Sequence, residues 1–380
     1  MPTAPTPIRV LHLTGNLDRG GIETWLKNVL QRVDRRQVAM DIMVVSPAPH
    51  EGHYEAELRA LGARILRMPP TNRPLKFLPA YLSALRQFGP YDVVHSHIHH
   101  FGGIVLLLAR LAGVKVRVAT SHNDTLKLDL AARNGRYAYL TLMRAALQAS
   151  VTHRQAVSRA AAYALFGPNW QRLQTEVITL GVELAALQVP RQTAELRAEL
   201  GVPAGLPVLG HVGQFRLQKN HLFLLDVFHT YLKRHGPACL LLVGDGEERQ
   251  AIEARAAQLG LTEQVYLLGS RSDIPNLLWL MDVFVFPSHF EGLSLAFLEA
   301  QAAGLPCVIS SNVSIRMEAS RMPLVDVQRL EVAAGPAVWA DAIAQAVKRG
   351  RHAPPYMDFD VGEKTQELVA FYQRAVAGEG

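Results

Sequence analysis

The most informative part of this 380-residue chain is VFPSHFEGLSLAFLEAQAAGLPCVIS, residues 285–310. Its first apolar residues predict the end of a buried strand, GLS (292–294) opens a helix, and PCVIS (306–310) predicts the next strand. Apolar strands that alternate with helices indicate a parallel sheet covered on both faces. We therefore predict an α/β fold.

Two carboxylates in this stretch, Glu291 and Glu299, are separated by seven residues. We place Glu291 in the loop after the strand and Glu299 about two turns inside the helix, on the same side. The N–H groups at a helix start suit a diphosphate. A carboxylate farther along can accept hydrogen bonds from both hydroxyls of a ribose, and Glu291 would meet the far end of the ligand. The arrangement suggests a nucleotide-sugar site.

The same alternation extends over the whole chain in two series. The first runs from RVLHLTG (9–15) to VRVATSH (116–122), and the second begins near residue 207 with PVLGHVGQ. A stretch containing Pro and Gln, 181–206, separates them. We predict two doubly wound Rossmann-like domains facing a central cleft, because such sheets bind ligands beyond the carboxyl ends of their strands. The predicted divisions are an N-terminal domain over 1–185, a C-terminal nucleotide-sugar-binding domain over 186–355, and a helical tail over 356–380 that packs back toward the N-terminal domain.

Composition excludes several classes of protein. Hydrophobic residues make up 49% of the chain and charged residues 19%, which excludes a disordered protein. Two cysteines, Cys239 and Cys307, exclude a disulfide framework and a cysteine-based zinc site, and they fit a reducing compartment. We see no targeting segment, and the most apolar stretch, 101–114, is shorter than the about 20 residues of a membrane span. We expect a cytoplasmic protein.

Charge is distributed unequally along the chain. Residues 1–180 carry 22 Lys and Arg against 11 Asp and Glu, whereas residues 181–380 carry 17 against 22. A basic first half suggests an anionic partner, either a phosphorylated substrate or an anionic membrane surface. We expect no nucleic acid partner, because no basic run contains interleaved aromatic residues.

Three further motifs carry polar groups at predicted strand ends. In TGNLDRGGIETW, Gly20 and Gly21 lie between the first strand and the first helix, where α/β sheets bind phosphate; an ordinary strand–helix turn fits equally well. The G-x-G-x-x-G pattern is absent, which weakens a dinucleotide interpretation. In GHVGQFRLQKNH, Lys219 or Arg216 could reach a phosphate, or could be a solvated loop charge. His122, in ATSHND, could donate a hydrogen bond or accept a proton, or could lie behind the site as a satisfied histidine.

The segment HSHIHHFGG contains an alternating set of histidines. His95, His97 and His99 would share one face of an extended strand, and a zinc site is conceivable there. No acidic ligand lies nearby in the sequence, and His100 breaks the alternation. We therefore favour polar groups lining the cleft and predict no metal.

These motifs together resemble the retaining glycosyltransferases of the GT-B fold, family 4 in particular. The resemblance covers nearly the whole chain, and E-x7-E inside FPSHFEGLSLAFLEAQAAGLPCV is its most specific element. RGGIETW, DVVHSH, AVSRAAAYALFG, VGQFRLQKNH and LLLVGDGEER follow in the family's order and spacing. Among relatives, the chain is most similar to transferases that build exopolysaccharide or capsular chains.

The resemblance implies a role for each matched residue. Glu299 would bind the donor ribose, Glu291 would contact the transferred sugar, and the backbone N–H groups of Ser294 and Leu295 would hold the diphosphate, braced by Lys219. His122 matches the active-site histidine that touches the donor sugar near the reacting carbon. The remaining implied donor-site residues are Gly20 and Gly21 in the acceptor-domain loop facing the phosphates, Gln214 and Arg216 in the loop before Lys219, Gly244 in LLLVGDGEER, and Arg271 in the loop whose backbone reads the base.

Two departures from the family pattern stand out. The family usually has Arg five residues before the lysine, where this chain has Gln214; Arg216 could substitute if the loop is reshaped. Leu180 stands where relatives usually have Asn before the Gly of TLGVEL, which could alter the hinge.

The resemblance implies transfer of a sugar, with retention, from a nucleotide sugar such as a UDP-sugar to a glycan hydroxyl. No metal and no cofactor are implied, because side-chain cations and helix starts neutralise the leaving diphosphate, which would accept the proton. The basic first half suits an acceptor on a lipid diphosphate at the inner membrane face, with peripheral attachment. The alternatives are a sugar-nucleotide epimerase of the same fold and a catalytically weak sugar-nucleotide-binding protein.

Overall fold

A computed structural model describes residues 6–45, 51–126, 129, 133, 135–313 and 324–379. The described residues form two compact units. The first contains those up to Gly181 and those from Val361 onward, and the second contains those from Val182 to Asp360. None of the helices in the described residues combines the length and the apolar character that crossing a membrane requires.

The first unit is built on a seven-stranded sheet in the order β3-β2-β1-β4-β5-β6-β7, in which every neighbouring pair is parallel. Its central strands are mostly buried, as is typical of parallel sheets covered by helices. The strands are Ile8–Thr14 (β1), Val38–Val44 (β2), Ile65–Arg67 (β3), Val93–Ser96 (β4), Val116–Ser121 (β5), His153–Ala156 (β6) and Glu176–Val177 (β7).

Helices alternate with the strands of this sheet along the chain. The described helices are Gly21–Arg32 (α1), Glu55–Ala60 (α2), Pro74–Phe88 (α3), Gly102–Leu111 (α4), Gly135–Ser150 (α5) and Arg159–Phe166 (α6). In α1, Trp25, Leu26 and Val29 are buried at helical spacing. The core also contains Phe77 and Tyr81 of α3, neither of which is exposed.

The second unit is built on a six-stranded parallel sheet in the order β10-β9-β8-β11-β12-β13. Its strands are Val208–Val212 (β8), Cys239–Val243 (β9), Val265–Gly269 (β10), Val283–Phe286 (β11), Cys307–Ser310 (β12) and Val327–Leu330 (β13). The described helices of this unit are Leu184–Gln188 (α7), Ala194–Glu199 (α8), His221–His235 (α9), Arg249–Gln258 (α10), Ile274–Leu280 (α11), Leu295–Ala302 (α12) and Gly335–Arg349 (α13).

The last helix, Val361–Ala377 (α14), returns to the first unit. It packs beside α1, and its buried residues Leu368, Tyr372 and Ala375 recur at spacings of three or four. The return places the Tyr372 side chain among strand residues of the first sheet, where it contacts His95 and His12.

Strand order reverses once in each sheet, which confirms the prediction of two doubly wound α/β units. In the first sheet β1 lies between β2 and β4, and in the second β8 lies between β9 and β11. Ligands of doubly wound sheets bind outside the carboxyl ends of the strands at such reversals. The polar groups beyond β1, β4 and β5, and those beyond β8 and β11, are therefore the candidates for function.

Candidate functional site

In the second unit, β11 leads through a buried loop into α12. Ser294 is the cap of this helix, and its Oγ accepts a hydrogen bond from Phe297 N at 3.3 Å. The helix begins at Leu295, so Glu299 lies just over one turn inside it, and the predicted depth of two turns is wrong. The cause is the extended backbone of Ser294, which keeps residues 292–294 outside the helix. Glu299 is half-buried.

Lys219 and Glu291 form an ion pair beside this helix start. Lys219 Nζ donates to Glu291 Oε1 at 2.6 Å, and the two side chains are 17% and 6% exposed. The ammonium also lies 4.8 Å from the centre of the Phe286 ring. Lys219 follows β8 and Glu291 follows β11, and these two strands are neighbours at the reversal. The structure thus brings together two predicted site residues whose direct contact was not predicted.

Three hydrogen bonds hold these two loops against each other. Gln218 accepts from His289 N at its carbonyl oxygen, at 2.8 Å, and donates from Nε2 to Phe290 O at 2.8 Å. Asn220 Nδ2 donates to Pro287 O at 3.2 Å, while its own backbone adopts a left-handed conformation with φ of 59°. Because the loops are fastened on both sides of Lys219, its position relative to Glu291 is built in.

Glycine at position 244 is required by the approach of a second loop. Gly244 has φ of +143°, and a Cβ there would lie 2.0 Å from Gly213 O. Position 213 also has little space for a side chain, since a Cβ there would lie 3.3 Å from Lys219 Cε. Gly244 therefore lets the loop after β9 approach the turn that precedes Lys219.

Gln214, Arg216 and Arg271 are the other predicted residues of the second unit. Arg216 is exposed and Gln214 is half-buried, and Arg216 N donates to Gln214 O at 2.8 Å in a tight turn. The guanidinium of Arg271 is held by Asp273 through two hydrogen bonds of 2.8 Å. That contact raises the pKa of Arg271.

Two buried histidines near Lys219 were missed by the sequence analysis. His211 Nδ1 donates to Val285 O at 2.9 Å, which leaves Nε2 without a partner among the described residues, and neither ring nitrogen of His221 has one. The two ring centres lie 4.6 Å apart. Burial lowers the pKa of His211 to about 3 and that of His221 to about 2, so both rings are neutral. His211 lies near the end of a predicted strand and His221 at the start of a predicted helix, and these positions could have identified both as candidates.

In the first unit, Gly20 caps α1 after the loop that follows β1, and Gly21 is the first helical residue. The first turn of this helix also contains Glu23, a buried carboxylate that accepts from Thr14 Oγ1 at 3.0 Å. A negative charge stabilises a helix start much as a phosphate would. The turn is where the sequence predicted it, and a protein carboxylate lies within it.

His122 lies directly after β5 and is linked to other buried histidines. Its Nε2 is 2.9 Å from His97 Nδ1, and His97 Nε2 is 3.0 Å from His12 Nδ1. His95 contacts the Tyr372 hydroxyl at 2.6 Å through Nδ1, and that hydroxyl lies 3.4 Å from His12 Nε2. Neither His12 nor Tyr372 was predicted to belong to this group.

The predicted grouping of His95, His97 and His99 is wrong, because β4 ends at Ser96 and the chain turns away. His99 lies in a short 3-10 helix with φ of 50°, beside His100, whose Nε2 is 2.7 Å from Asp129 Oδ2. His12 takes its place: His12, His95 and His97 each have a nitrogen within 4.8 Å of the others, a spacing that could admit a metal ion. Each of their six ring nitrogens already has a protein partner, so an ion would have to displace those contacts.

Burial makes this group of histidines neutral. It lowers the pKa of His12 and of His122 to about 3, and it lowers the pKa of His95 and of His97 well below 6.5, where the neighbouring histidines add to the effect. At neutral pH each ring therefore has one N–H and one bare nitrogen. Each ring can therefore donate one hydrogen bond and accept another, so the direction of one hydrogen bond fixes the direction of the next, and no ring carries a charge.

Two family models match the chain, one in each half. The model described as Glycosyltransferase Family 4 matches residues 19–186. The model described as Glycosyl transferases group 1 matches residues 192–352.

Individual proteins are similar over nearly the whole chain. The putative glycosyltransferase EpsF of Bacillus subtilis is 35% identical over 90% of this chain and 88% of its own length. The capsular polysaccharide biosynthesis glycosyltransferase CapH of Staphylococcus aureus is 27% identical over 96% of this chain and 98% of its own. The crystal structure of Anabaena HepE in complex with UDP and glucose matches with a TM-score of 0.73 at 19% identity, over 96% of this chain and 99% of HepE, so the fold is shared.

Proposed function

This chain belongs to glycosyltransferase family 4 and has the GT-B fold, and we propose that it transfers a sugar from a UDP-sugar to a hydroxyl of a growing cell-surface polysaccharide. The observation that carries the proposal is the contact between Lys219 and Glu291 beside the start of α12. The bond that breaks in a nucleotide sugar joins the sugar to the diphosphate. A cation and a carboxylate in contact match the two sides of that bond.

The ion pair keeps capacity for a ligand on both partners. An ammonium has three N–H donors, and the contact with Glu291 uses one, so Lys219 has two for phosphate oxygens. Glu291 accepts from Lys219 at Oε1 and retains Oε2 for a sugar hydroxyl. The N–H groups of Ser294 and Leu295, at the start of α12, would bind the diphosphate, and Glu299 would bind the ribose.

The donor is proposed to be a UDP-sugar, and the product a polysaccharide. HepE, which shares the fold, was crystallised with UDP and glucose, and CapH is named for capsular polysaccharide synthesis. For this chain we propose retention of configuration. The acceptor hydroxyl attacks the anomeric carbon on the face from which the diphosphate departs, and the hydroxyl proton passes to a diphosphate oxygen. Lys219 would stabilise the charge that grows on that group without a metal ion.

The acceptor is proposed to be a glycan on a lipid diphosphate at an anionic membrane surface. The support is the excess of 22 basic over 11 acidic side chains in residues 1–180. Each Lys or Arg that lies close to an anionic membrane surface contributes about 1 kcal/mol to the binding free energy. Sedimentation with phosphatidylserine vesicles at low and high ionic strength tests this part, since binding should weaken with salt; no binding at low ionic strength would leave the basic residues to phosphate recognition alone.

The decisive test of the function is thermal unfolding with a panel of nucleotides and nucleotide sugars, followed by turnover on a glycan acceptor in EDTA. A ligand at 100 times its dissociation constant stabilises the folded state by about 2.7 kcal/mol, so the correct donor should stand out. Free epimer without transfer would indicate an epimerase, and binding without turnover would indicate a sugar-nucleotide-binding protein. Activity lost in EDTA and restored by Mn²⁺ would contradict a metal-free reaction and direct attention to His12, His95 and His97.

A further inference from the structure

We propose that a one-directional chain of hydrogen bonds, which begins at Glu176, holds His122 as a pure acceptor for a sugar hydroxyl. We call this set the histidine chain, and its members, in order, are Glu176, Gln155, Thr120, His95, Tyr372, His12, His97 and His122. All of them belong to the first unit. The identity of the ligand rests on the proposed function, whereas the direction of the chain rests on its contacts alone.

The direction is set at the carboxylate end. Glu176 Oε2 accepts from Gln155 Nε2 at 3.1 Å, and this contact orients the amide. Gln155 Oε1 can only accept, and Thr120 Oγ1 donates to it at 3.3 Å. Because a hydroxyl has a single proton, Thr120 has none left to donate to His95.

The middle of the chain follows from the same rule. His95 Nε2 lies 2.7 Å from Thr120 Oγ1 and must be the donor. A neutral imidazole has one N–H, so His95 Nδ1 is bare, and the Tyr372 hydroxyl donates to it at 2.6 Å. The Tyr372 proton is then in use, and its oxygen accepts from His12 Nε2 at 3.4 Å.

The last two links end the chain at His122. His12 Nδ1 is bare and accepts from His97 Nε2 at 3.0 Å, and His97 Nδ1 in turn accepts from His122 Nε2 at 2.9 Å. His122 Nδ1 is therefore a lone pair, which is buried and has no partner among the described residues. A chain that starts at a carboxylate thus ends in an unused acceptor.

The opposite direction satisfies fewer groups. It would make Thr120 donate to His95, which leaves Gln155 Oε1 without its donor. It would also place a proton on His122 Nδ1, where no acceptor lies among the residues that the structure describes. A buried N–H without a partner is rarer than an acceptor without one. The neutrality of the four rings keeps either direction intact, because an imidazolium donates from both nitrogens and would interrupt the chain.

The position of His122 connects this direction to the ligand. His122 follows β5, at the edge of the sheet where doubly wound units bind ligands. A bare Nδ1 accepts from a hydroxyl but has nothing to donate to a carboxylate. The site should therefore favour a sugar with a hydroxyl at the contacted position over the corresponding uronic acid or deoxy sugar, which leave polar atoms unpaired or in repulsion.

The direction can be measured by NMR of the full chain labelled with 15N-histidine, because two-bond couplings distinguish the tautomers. We expect His12, His95, His97 and His122 all to carry their proton on Nε2 at neutral pH, with resonances assigned through one variant per histidine. A proton on His122 Nδ1 would overturn the proposal. So would stoichiometric zinc, by elemental analysis, bound to the histidine chain.

A substitution in the middle of the chain separates its two ends. Tyr372→Phe removes the hydroxyl and little volume, so His95 should keep its Nε2 proton while His12, His97 and His122 become mixtures of tautomers. Tyr81→Phe is the matched control, since Tyr81 is fully buried in the same unit and its hydroxyl has no partner among the described residues. Equal changes in both variants, or no change in either, contradict the proposed direction.

The ligand is tested with UDP-glucose, UDP-galactose and UDP-N-acetylglucosamine, and with UDP-glucuronate as the acidic counterpart. We expect at least one neutral UDP-sugar to shift the His122 Nδ1 resonance while the tautomer is kept, and loss of that shift with UDP-glucuronate would identify the contacted hydroxyl as the one at C6. Calorimetric binding of a neutral UDP-sugar with an unmoved Nδ1 overturns the inference and leaves the proposed function standing. No binding of any of them overturns the ligand half, and turnover assays with other nucleotides then decide the function separately.

Discussion

Each unit has a group of polar side chains at or near the carboxyl ends of the strands of its own parallel sheet, and the two groups are held by different means. In the second unit, Lys219 and Glu291 are opposite charges on two loops, 2.6 Å apart. In the first, His12 and His95 are neutral rings on the strands themselves, joined through Tyr372. Charge acts on any ion that approaches, whereas a hydrogen-bond direction distinguishes a donor from an acceptor. We therefore expect substitutions in the second unit to change mainly the rate and those in the first to change mainly the selectivity.

The largest expected effect comes from removing the cation of the second unit. Lys219→Ala should lower kcat about 10²- to 10³-fold, the scale on which one preorganised stabilising group acts at a transition state. Steady-state turnover of the matched donor measures it. Lys233→Ala, which removes an exposed cation from α9 of the same unit, is the control and should leave kcat unchanged.

The same substitution should also lower the stability of the second unit. Removing Lys219 leaves Glu291 buried without its partner, and such a charge costs more than the pair contributes. The double variant Lys219→Ala/Glu291→Gln should therefore unfold at higher denaturant than Lys219→Ala alone. Equal midpoints, together with an unchanged kcat for Lys219→Ala, would remove the ion pair from the mechanism.

The next effect in size concerns the ribose. Glu299→Ala should weaken UDP binding by about 1.5–3 kcal/mol, the value of hydrogen bonds to a charged group. Isothermal titration calorimetry measures it, with Glu263→Ala, an exposed carboxylate of the second unit, as the control. Unchanged UDP affinity would take Glu299 out of the donor site and would confine the second unit's contribution to the phosphates.

Lowering the pH should destabilise the first unit more than the second. The pKa of His12 and of His122 is about 3 in the folded chain and about 6.5 when unfolded. Below pH 6.5 the unfolded state therefore binds protons that the folded state does not, and the free energy of unfolding falls as the pH drops toward 3. Each such histidine contributes up to about 1.4 kcal/mol per pH unit. Among the described residues, the histidines whose pKa burial lowers strongly are more numerous in the first unit: they are His12, His95, His97, His99 and His122, against His211 and His221 in the second.

The first unit should consequently lose more stability than the second between pH 7 and pH 5. Fluorine NMR of 5-fluorotryptophan during urea unfolding can follow both, because two tryptophans lie in each unit. The reporters are Trp25 and Trp170 in the first unit and Trp279 and Trp339 in the second. An equal fall for both units would contradict the larger effect expected from the more numerous buried neutral histidines of the first.

Local sequence was sufficient to predict the two α/β units and to identify some of the polar residues of each site. Apolar strands and helices alternate because each must bury a face, so two doubly wound units could be predicted without tertiary information. Glu291 and Ser294 were predicted near one helix start because they are three residues apart. The depth of Glu299 was wrong because the capping geometry of Ser294 depends on one φ/ψ pair, and composition does not reveal that pair.

The contacts that join distant segments could not be predicted. Lys219 and Glu291 are 72 residues apart, and His95 and Tyr372 are 277 apart. Both pairs meet only because strand order reverses and the last helix returns to the first sheet. Alternation along HSHIHH suggested His99 as a partner of His95, but alternation is meaningful only while the strand lasts, and β4 ends at Ser96.

The smallest effect concerns Gln214, where the family usually has a cation. Arg216 N donates to Gln214 O at 2.8 Å, so a tight turn holds the two residues close together, and the Arg216 side chain is exposed. We expect Arg216 to supply the missing charge weakly, because an exposed cation contributes about 0.2–1 kcal/mol, roughly 1.4- to 5-fold. Arg216→Ala should lower kcat by that factor, Gln214→Arg should change it little, and the double variant should recover the wild-type rate. Turnover of all four proteins with the matched donor decides the point. A large gain for Gln214→Arg in the presence of Arg216 would mean that the position is vacant, and that Lys219 alone now carries the charge-stabilising role of the second unit.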